Sequence, residues 1–523
     1  MPEYLSPGVY IQEVNSGPRP IEGVGTAMAA FIGFAPYGKP NTPLLITNWT
    51  QYLAEFGTPK NEQGEPIGPP DPHRPGWYLS HAVYGYFLNG GGRCYVTRVV
   101  PNGAQNDVRP KLTWASRTSK ELPSLTFTPK DDVSKDVRVE IAPPTGENPP
   151  ENSFTLKVTA EGAEEVYENV TFGRRSPKNV VDTVNQQSKL VTVLDAQAPG
   201  AVADRVPEFG NQIIKATGST SLAVVKSQDF IGSAAERTGV EGMEIAEDVT
   251  MICCPDLMSP TAYKDGVVDK LVVKAVQEAM ITHCERMGDR MAILDPPPGL
   301  TPQEVAKWRQ DEARLNSKFA ALYYPWFSIM GPDNKPISVP PSGHMAGIWA
   351  RNDNERGVHK APANEPVRGI LDVVTQITKG EQDVLNPMGV NCIRSFTGRG
   401  ALVWGARTLS ADPAWRYINV RRLFNYVEKS IERGTQWVVF EPNDTDLWAR
   451  VRRDVGAFLT GVWRDGMLFG RSPEEAFYVK CDEELNPSDV RDRGQLIIEI
   501  GLAPVKPAEF VIFRFSQWAG GGS

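Results

Sequence analysis

The 523-residue chain reads as a mixed α/β protein with an inserted β-rich segment and a β-strand at each end. Three observations carry this. Between 249 and 325, apolar strand-like runs alternate with amphipathic helical stretches, the order that builds a parallel sheet with crossover helices. From 104 to 235 the texture changes to short alternating strands separated by turns such as PPTGENPPEN. Both termini, VYIQEV and EFVIFRF, are extended and apolar.

Taken in order, residues 8–14 follow a Pro7-Gly8 turn and alternate as a strand with no sequence-adjacent partner. AMAAFIGF (27–34) is a buried strand. WYLSHAVYGYFL (77–88) is a helix ended by Asn89-Gly90-Gly91-Gly92, and CYVTRVV (94–100) is the next strand. Residues 58–75 hold too many prolines for a regular element and read as an exposed, mobile loop. In the insert, SLTFT, VRVEIA, FTLKVTA and YENVTF are strands, and a helix begins at Ser176-Pro177 with Ser as its cap. Then come strand 249–254, helix 265–287, strand 291–295, helix 302–316 and strand 319–325. Helices 416–432 and 444–464 precede strands 495–502 and 509–518, which Pro504 and Pro507 separate.

Composition narrows the function. With 41% hydrophobic, 23% charged and 9% aromatic residues, the chain is folded rather than disordered. The 47 glycines and 44 prolines exceed the average usage of about 7% and 5%, so turns punctuate the regular elements. A net charge of −8 repels nucleic acid and anionic membranes. No apolar run approaches the ~20 residues of a membrane span and the start lacks a signal-peptide pattern, so cytoplasmic synthesis without membrane insertion is expected. Cys94, Cys253, Cys254, Cys284, Cys392 and Cys481 show no paired spacing and read as buried thiols.

Catalytic motifs fail on chemistry. Gly33 to Lys39 fits the spacing of a phosphate loop, but Pro40 replaces the metal-binding hydroxyl and Pro36 removes a backbone donor. Gly398-Arg399-Gly400 lacks the third glycine of a dinucleotide turn. No G-x-S-x-G occurs, and His73, His81, His283, His344 and His359 have no hydrolase context. His283 and Cys284 are successive on a helix and cannot face each other as a dyad. His344, Asp353, Glu355 and His359 match no metal-ligand spacing. Asp444/Asp446 and Glu474/Glu475 suit helix starts. No catalytic residue, metal or cofactor is assigned.

PPSGHMAGIWARNDNERGVHKAPANE (340–365) resembles the signature of contractile tail sheath proteins. The likeness continues through 391–431, TQWVVFEPND (435–444), 447–470, 473–487, APVKPAEFVIFRFSQ (503–517) and the opening YLSPGVYIQEV (4–14). It covers nearly everything outside 104–235 and is nearest to sheaths of extracellular contractile injection systems. The resemblance implies a homo-oligomer of stacked hexameric rings around an inner tube protein, with baseplate and terminal cap proteins as further partners. It implies contraction that drives the tube through a target envelope, within a tail-like particle assembled in the cytoplasm and released in some systems. It also implies a subtilisin-like α/β core, although no catalytic Asp, His and Ser can be placed on this chain. The division expected is an N-terminal exchange arm (1–20), core (21–103 and 236–415), an inserted outer domain (104–235), a C-terminal sheath domain (416–502) and a C-terminal exchange arm (503–523). A passive spacer is the first reading of the insert, and a carbohydrate-binding or host-contact module is the other.

In such sheaths the arms are exchanged between subunits by strand addition. Val9, Tyr10, Ile11 and Val14 fit that role at one end, and Phe510, Val511, Ile512, Phe513 and Phe515 at the other, with Pro18, Pro20, Pro504 and Pro507 as bends. On a helical wheel of 444–464, Leu447, Val451, Val455, Phe458, Leu459 and Val462 fill one arc, while Arg450, Arg453 and Arg464 fall together on the other side. That basic face is the candidate contact with an acidic tube. The alternative is a solvated face with Asp454 as charge partner. Two other readings of the whole chain stay open: a cryptic subtilisin-like hydrolase, and the sheath of a contractile bacteriophage virion.

Overall fold

The computed structural model describes residues 20–58, 69–100, 112–119, 122–130, 136–146, 148–160, 163–172, 176–196, 202–214, 225–263 and 266–514. Val9, Tyr10, Ile11, Val14 and Phe515 lie outside the described residues.

The chain first lays down β1 (Ala29–Gly33), β2 (Leu44–Ile46), the short α1 (Trp49–Tyr52), α2 (Leu79–Leu88) and β3 (Cys94–Arg98). The insert follows, with β4 (Leu112–Ala115), β5 (Pro123–Pro129), β6 (Val137–Ala142), β7 (Phe154–Ala160), β8 (Ala163–Val170), α3 (Val180–Gln187), β9 (Val191–Asp195) and β10 (Gly210–Ile214). Its strands form two antiparallel sheets, β4-β5-β9 and β10-β6-β7-β8. Alternate residues of both, among them Trp114, Phe127, Val139, Leu156 and Val193, close a core of their own. Helix α3 starts at Val180 rather than at Ser176-Pro177, because Asn179 Oδ1 accepts from the N–H groups of Val181 and Asp182 and is the true cap.

The chain returns through α4 (Ser227–Ile231), β11 (Met251–Cys253), α5 (Lys270–Met287), β12 (Met291–Leu294), α6 (Pro302–Lys307) and β13 (Ala320–Tyr324). Helix α5 begins five residues after 265 because Asp269 caps it. The helix expected over 302–316 holds α-geometry only to Lys307, then widens into a π-helical stretch, Trp308–Ala313, ended by Arg314 at φ 51°. Next come β14 (Phe327–Met330), β15 (Pro336–Val339), α7 (Ser342–Arg356), β16 (Asp372–Val373), α8 (Lys379–Leu385), β17 (Val390–Phe396) and β18 (Gly400–Val403).

Eight of these strands form one sheet in the order β18-β17-β13-β12-β11-β1-β3-β2. The inner six are parallel and the two edge strands antiparallel. Alternation along each strand sends Ala30, Ile32, Ile252 and Leu322 to one face, against Val273, Met280 and Trp308. Ala29, Phe31, Cys253 and Tyr323 go to the other, against Leu79, Val83, Met345 and Trp349. Burial on both sides explains why these strands read as unbroken apolar runs. Helices α2 and α7 meet through glycine: a Cβ on Gly343 would lie 2.4 Å from Ala82 Cα, and one on Gly347 2.4 Å from Tyr86 O.

Of the loop expected over 58–75, residues 59–68 lie outside the described residues; in the described end Pro72 and Arg74 are buried, and the His73 ring stacks on His81 of α2 with centroids 4.2 Å apart. All six cysteines are free and buried. The C-terminal part is α9 (Ile418–Gly434), α10 (Thr445–Arg464), β19 (Phe477–Lys480) and β20 (Glu499–Leu502). It shares a fourth core, with Leu423, Val451, Val455 and Leu459 at its centre.

Candidate assembly surfaces

Strands β19 and β20 pair antiparallel, Phe477 opposite Leu502 and Lys480 opposite Glu499. They form a two-stranded sheet whose outer edges pair with no strand among the described residues. Two-stranded ribbons are marginal alone, and here one side is backed by α10. After β20 the chain stays tied to the body. Phe469 N donates to Ala503 O at 2.8 Å, Leu468 bridges to Pro504, and Asn419 Nδ2 donates to Val505 O at 3.2 Å. Pro504 and Pro507 thus lie inside a held stretch.

Glu509 closes that stretch. Its carboxylate accepts from Arg407 Nε (2.8 Å) and Nη2 (2.7 Å), Asn386 Nδ2 (2.8 Å) and Tyr417 OH (2.9 Å). Burial alone raises the Glu509 pKa, but the bonds from Arg407, Asn386 and Tyr417 outweigh it and hold the carboxyl below its usual range. Immediately beyond, Phe510, Val511 and Ile512 are 69%, 70% and 78% exposed. The strand expected over 509–518 is not formed in its described part, residues 509–514, and no strand among the described residues forms a ladder with it.

Helix α10 starts as expected: Asp444 caps it through Leu447 N at 2.8 Å. Leu447, Val451, Val455, Leu459 and Val462 are buried, Phe458 is half-buried, and Trp448 joins them. Arg450, Arg453 and Arg464 sit on the exposed side, interspersed with the small residues Ala449, Ala457 and Gly461. Two of the arginines already have carboxylate neighbours. Arg453 Nε lies 3.0 Å from Asp454 Oδ1, as the solvated reading expects, and Arg450 Nη2 lies 3.5 Å from Glu441 Oε2. Both guanidinium groups remain open to solvent and compact in reach, so a partner carboxylate can still approach them.

Other polar groups are turned inward. Asp256 follows β11 and accepts from the N–H groups of Phe34 (2.6 Å), Leu79 (3.1 Å) and Tyr78. It therefore occupies the backbone donor that follows Gly33. Asp295, after β12, accepts from Ser342 N at 2.8 Å at the start of α7. Burial pushes both carboxyls up to about 7, against hydrogen bonds that pull the other way. His344 and Ser342 are buried under α2. His283 lies in the α5 interface beside Arg290. Asp353 faces Arg422, and His359 O accepts from Asn419. His344, Asp353, Glu355 and His359 do not converge, and among the described residues no group of three or more His, Cys, Asp or Glu could hold a metal ion. No helix among them is long and apolar enough to cross a membrane.

The donors that close on the Glu509 carboxylate were not found from sequence. A signal existed: a lone acidic residue after Pro507 and ahead of four apolar or aromatic ones is the kind of charge that folds inward only with a partner.

The model of the phage tail sheath protein central domain matches residues 229–409, and that of the phage tail sheath C-terminal domain matches 410–517. The tail sheath protein of Burkholderia phage BcepMu is 23% identical over 526 aligned positions, 97% of this chain and 95% of that protein. The tail sheath protein of Vibrio phage KVP40 is 29% identical over 181 residues, 34% of this chain and 26% of that protein, so the match spans about a quarter of that relative. Among solved structures, a chain of the anti-feeding prophage baseplate superposes with a TM-score of 0.56 at 25% identity, covering 98% of this chain and 99% of that one. A chain of the sheath complex of an extracellular contractile injection system, PVC, in its contracted state, shares the fold at TM-score 0.56 and 24% identity, covering 99% of both. With the two domain models running without a gap from 229 to 517, more than half of its length, the chain belongs to the phage tail sheath family.

Proposed function

We propose that the chain is the sheath subunit of a contractile tail-like injection particle, polymerising as stacked hexameric rings around an inner tube and contracting to drive the tube through a target envelope. The observation that carries this reading is an exposed apolar segment, 510–513, in the same chain as a two-stranded sheet whose outer edges pair with no strand among the described residues. An arm from one subunit that adds to β19 or β20 of the next satisfies both, since main-chain ladders join chains with little demand on side-chain fit. The N-terminal residues Val9, Tyr10, Ile11 and Val14 take the same part from the other end. The exposed face of α10, with Arg450, Arg453 and Arg464, is the tube contact. Likeness over almost the full length extends both to the anti-feeding prophage chain and to the BcepMu phage sheath protein, so the sheath of a phage virion stands as the second reading. The region 236–415 is read as a subtilisin-like core without its chemistry, and 104–235 as an outer spacer. Contraction needs a metastable extended lattice rather than nucleotide hydrolysis, since small gains at each repeated interface add over many rings.

The test is co-expression with the neighbouring tube and baseplate genes, followed by negative-stain microscopy. Wild-type chain should give striated sheaths of two lengths, and chain ending at Glu509 should give bare tubes. Full sheaths from the shortened chain would overturn the arm assignment.

A further inference from the structure

Glu509 stands between two parts of the chain with different mechanical prospects. Behind it, residues 503–505 are held by neutral backbone and amide bonds, and β20 rests on β19 through four residues. Ahead of it lies the exposed apolar segment. The four hydrogen bonds to its carboxylate lead inward. Arg407, the two-point donor, is fixed by Asn391: Arg407 N donates to Asn391 Oδ1 at 2.7 Å, and Asn391 Nδ2 donates to Arg407 O at 2.8 Å. Asn391 is fully buried in β17, and its Nδ2 also donates to Leu322 O of β13 at 3.1 Å. A continuous polar path runs from Glu509 through Arg407 and Asn391 into β17 and β13, the second and third strands of the eight-stranded sheet counted from β18. Asn386 and Arg407 belong to the part matched as the central sheath domain, and Tyr417 and Glu509 to the part matched as the C-terminal one.

We propose that Glu509 is a load-bearing anchor: tension on the chain beyond residue 509 passes through its carboxylate and Arg407 into the central sheet and bypasses β20. This rests on the reading of 510–523 as an exchanged arm. Without the anchor, a pull on the arm would load the segment 503–508 and then β20 in series, and a two-stranded ladder pulled from its end opens one hydrogen bond at a time. The charged two-point contact is about twice as strong per bond as those neutral bonds and breaks only as a unit. The anchor also fixes where the arm can swing, which is beyond 509 and not at Pro504 or Pro507.

Pulling the free, full-length chain by its C-terminus in optical tweezers tests this without any assembly. In wild type, the first low-force extension should stop at residue 509. In Glu509→Gln, which keeps the shape and loses the charge, about ten further residues should come away at the same force, adding about 35 Å. Glu509→Ala should do the same, and the exchanged pair Glu509→Arg with Arg407→Glu should restore part of the stop. A purely local structural role would lower the urea midpoint of Glu509→Gln without changing the first extension, and that result overturns the proposal. Sheath formation by chain ending at Glu509 refutes the arm reading instead, whatever the tweezers show.

Discussion

Arg422 and Asp353 form a buried two-point ion pair, Nη1 to Oδ1 at 2.8 Å and Nη2 to Oδ2 at 2.5 Å, with the guanidinium 4.7 Å from the Trp349 ring centroid. Thr26 completes it: its hydroxyl donates to Asp353 Oδ2 at 2.6 Å, and its carbonyl accepts from Arg422 at 3.0 Å. Three distant segments, the approach to β1, the end of α7 and the start of α9, are thereby joined at one point. Both side chains are at most 4% exposed, so removing one partner strands the other charge in a low dielectric. Asp353→Ala should cost about 3–5 kcal/mol in urea unfolding. The double variant Asp353→Leu with Arg422→Met should recover most of that loss, and a single-variant cost below about 1 kcal/mol would contradict the pair's role.

The contact of α2 with α7 makes a second, steric prediction. A Cβ at Gly347 would meet Tyr86 O at 2.4 Å, and backbone does not yield as a flexible side chain does. Gly347→Ala should therefore destabilise by about 1–3 kcal/mol, despite the better helix propensity of alanine. Gly380 in α8 has no atom within 4 Å of its added Cβ, so Gly380→Ala should be neutral or stabilising by up to about 1 kcal/mol. Thermal midpoints of the two variants should move in opposite directions, or at least differ by several degrees.

These two sites also show what could be read from sequence. The parallel strands were legible because they are apolar throughout, and α5, α9 and α10 because an apolar stripe repeats along them. Helix α7 left no such stripe: from Ser342 to Asn352 it is buried on every side, so apolar, small and polar residues follow one another without period. Its glycines, which lower helix propensity, are there for α2. The cap at Asp444 was legible, and the one of α3 was misplaced where Ser176 and Asn179 compete three residues apart. The apolar character of 510–513 was plain, but whether it forms a strand depends on a second chain, which local pattern does not encode. The Glu509 anchor joins residues about 100 apart in sequence, and nothing local to either end specifies the other.

The buried ionisable groups set a pH dependence. Burial, with the charges of their neighbours, holds His81 and His283 at about 3, and burial alone holds His344 at about 4, all below the ordinary 6.5. Below pH 6.5 the unfolded chain takes up these protons while the folded chain does not. Each histidine then removes about 1.4 kcal/mol of stability per pH unit until its folded value is reached. Asp256 and Asp295 act in the opposite sense, since their carboxyls are pushed up from 3.8 to about 7. The folded chain gains two protons near neutrality that the unfolded chain gains only near pH 4, so acidification from 8 towards 6 stabilises. Below 6.5 the protons of His81, His283 and His344, joined by those of His73 and His359, which burial also holds below their ordinary value, outnumber the two on the aspartates, and stability falls again. The urea midpoint of the free chain should peak near pH 6.5. His344→Gln should flatten the acid limb between pH 6.5 and 4 by about one proton; an unchanged limb would show that His344 is not among the groups responsible.

The outward face of α10 yields the prediction that bears most directly on assembly. Gly456 and Gly461 lie inside this 20-residue helix, and an added Cβ at either would meet nothing within 4 Å. In the free chain each costs up to about 1 kcal/mol relative to alanine, with no packing neighbour to explain it. If the tube lies against this face, the glycines let its backbone approach while Arg450 and Arg453 pair with carboxylates on it, exchanging Glu441 and Asp454 for new partners. Gly456→Ala with Gly461→Ala should then raise the thermal midpoint of the free chain by several degrees and reduce sheath assembly on tubes. Arg450→Glu with Arg453→Glu should abolish assembly while the free chain stays folded, its loss of stability coming from Asp454, which is 6% exposed and gives up Arg453 as its partner. Sedimentation of sheath with purified tube measures both. Full-length sheaths from the charge-reversed chain would place the tube contact on another surface.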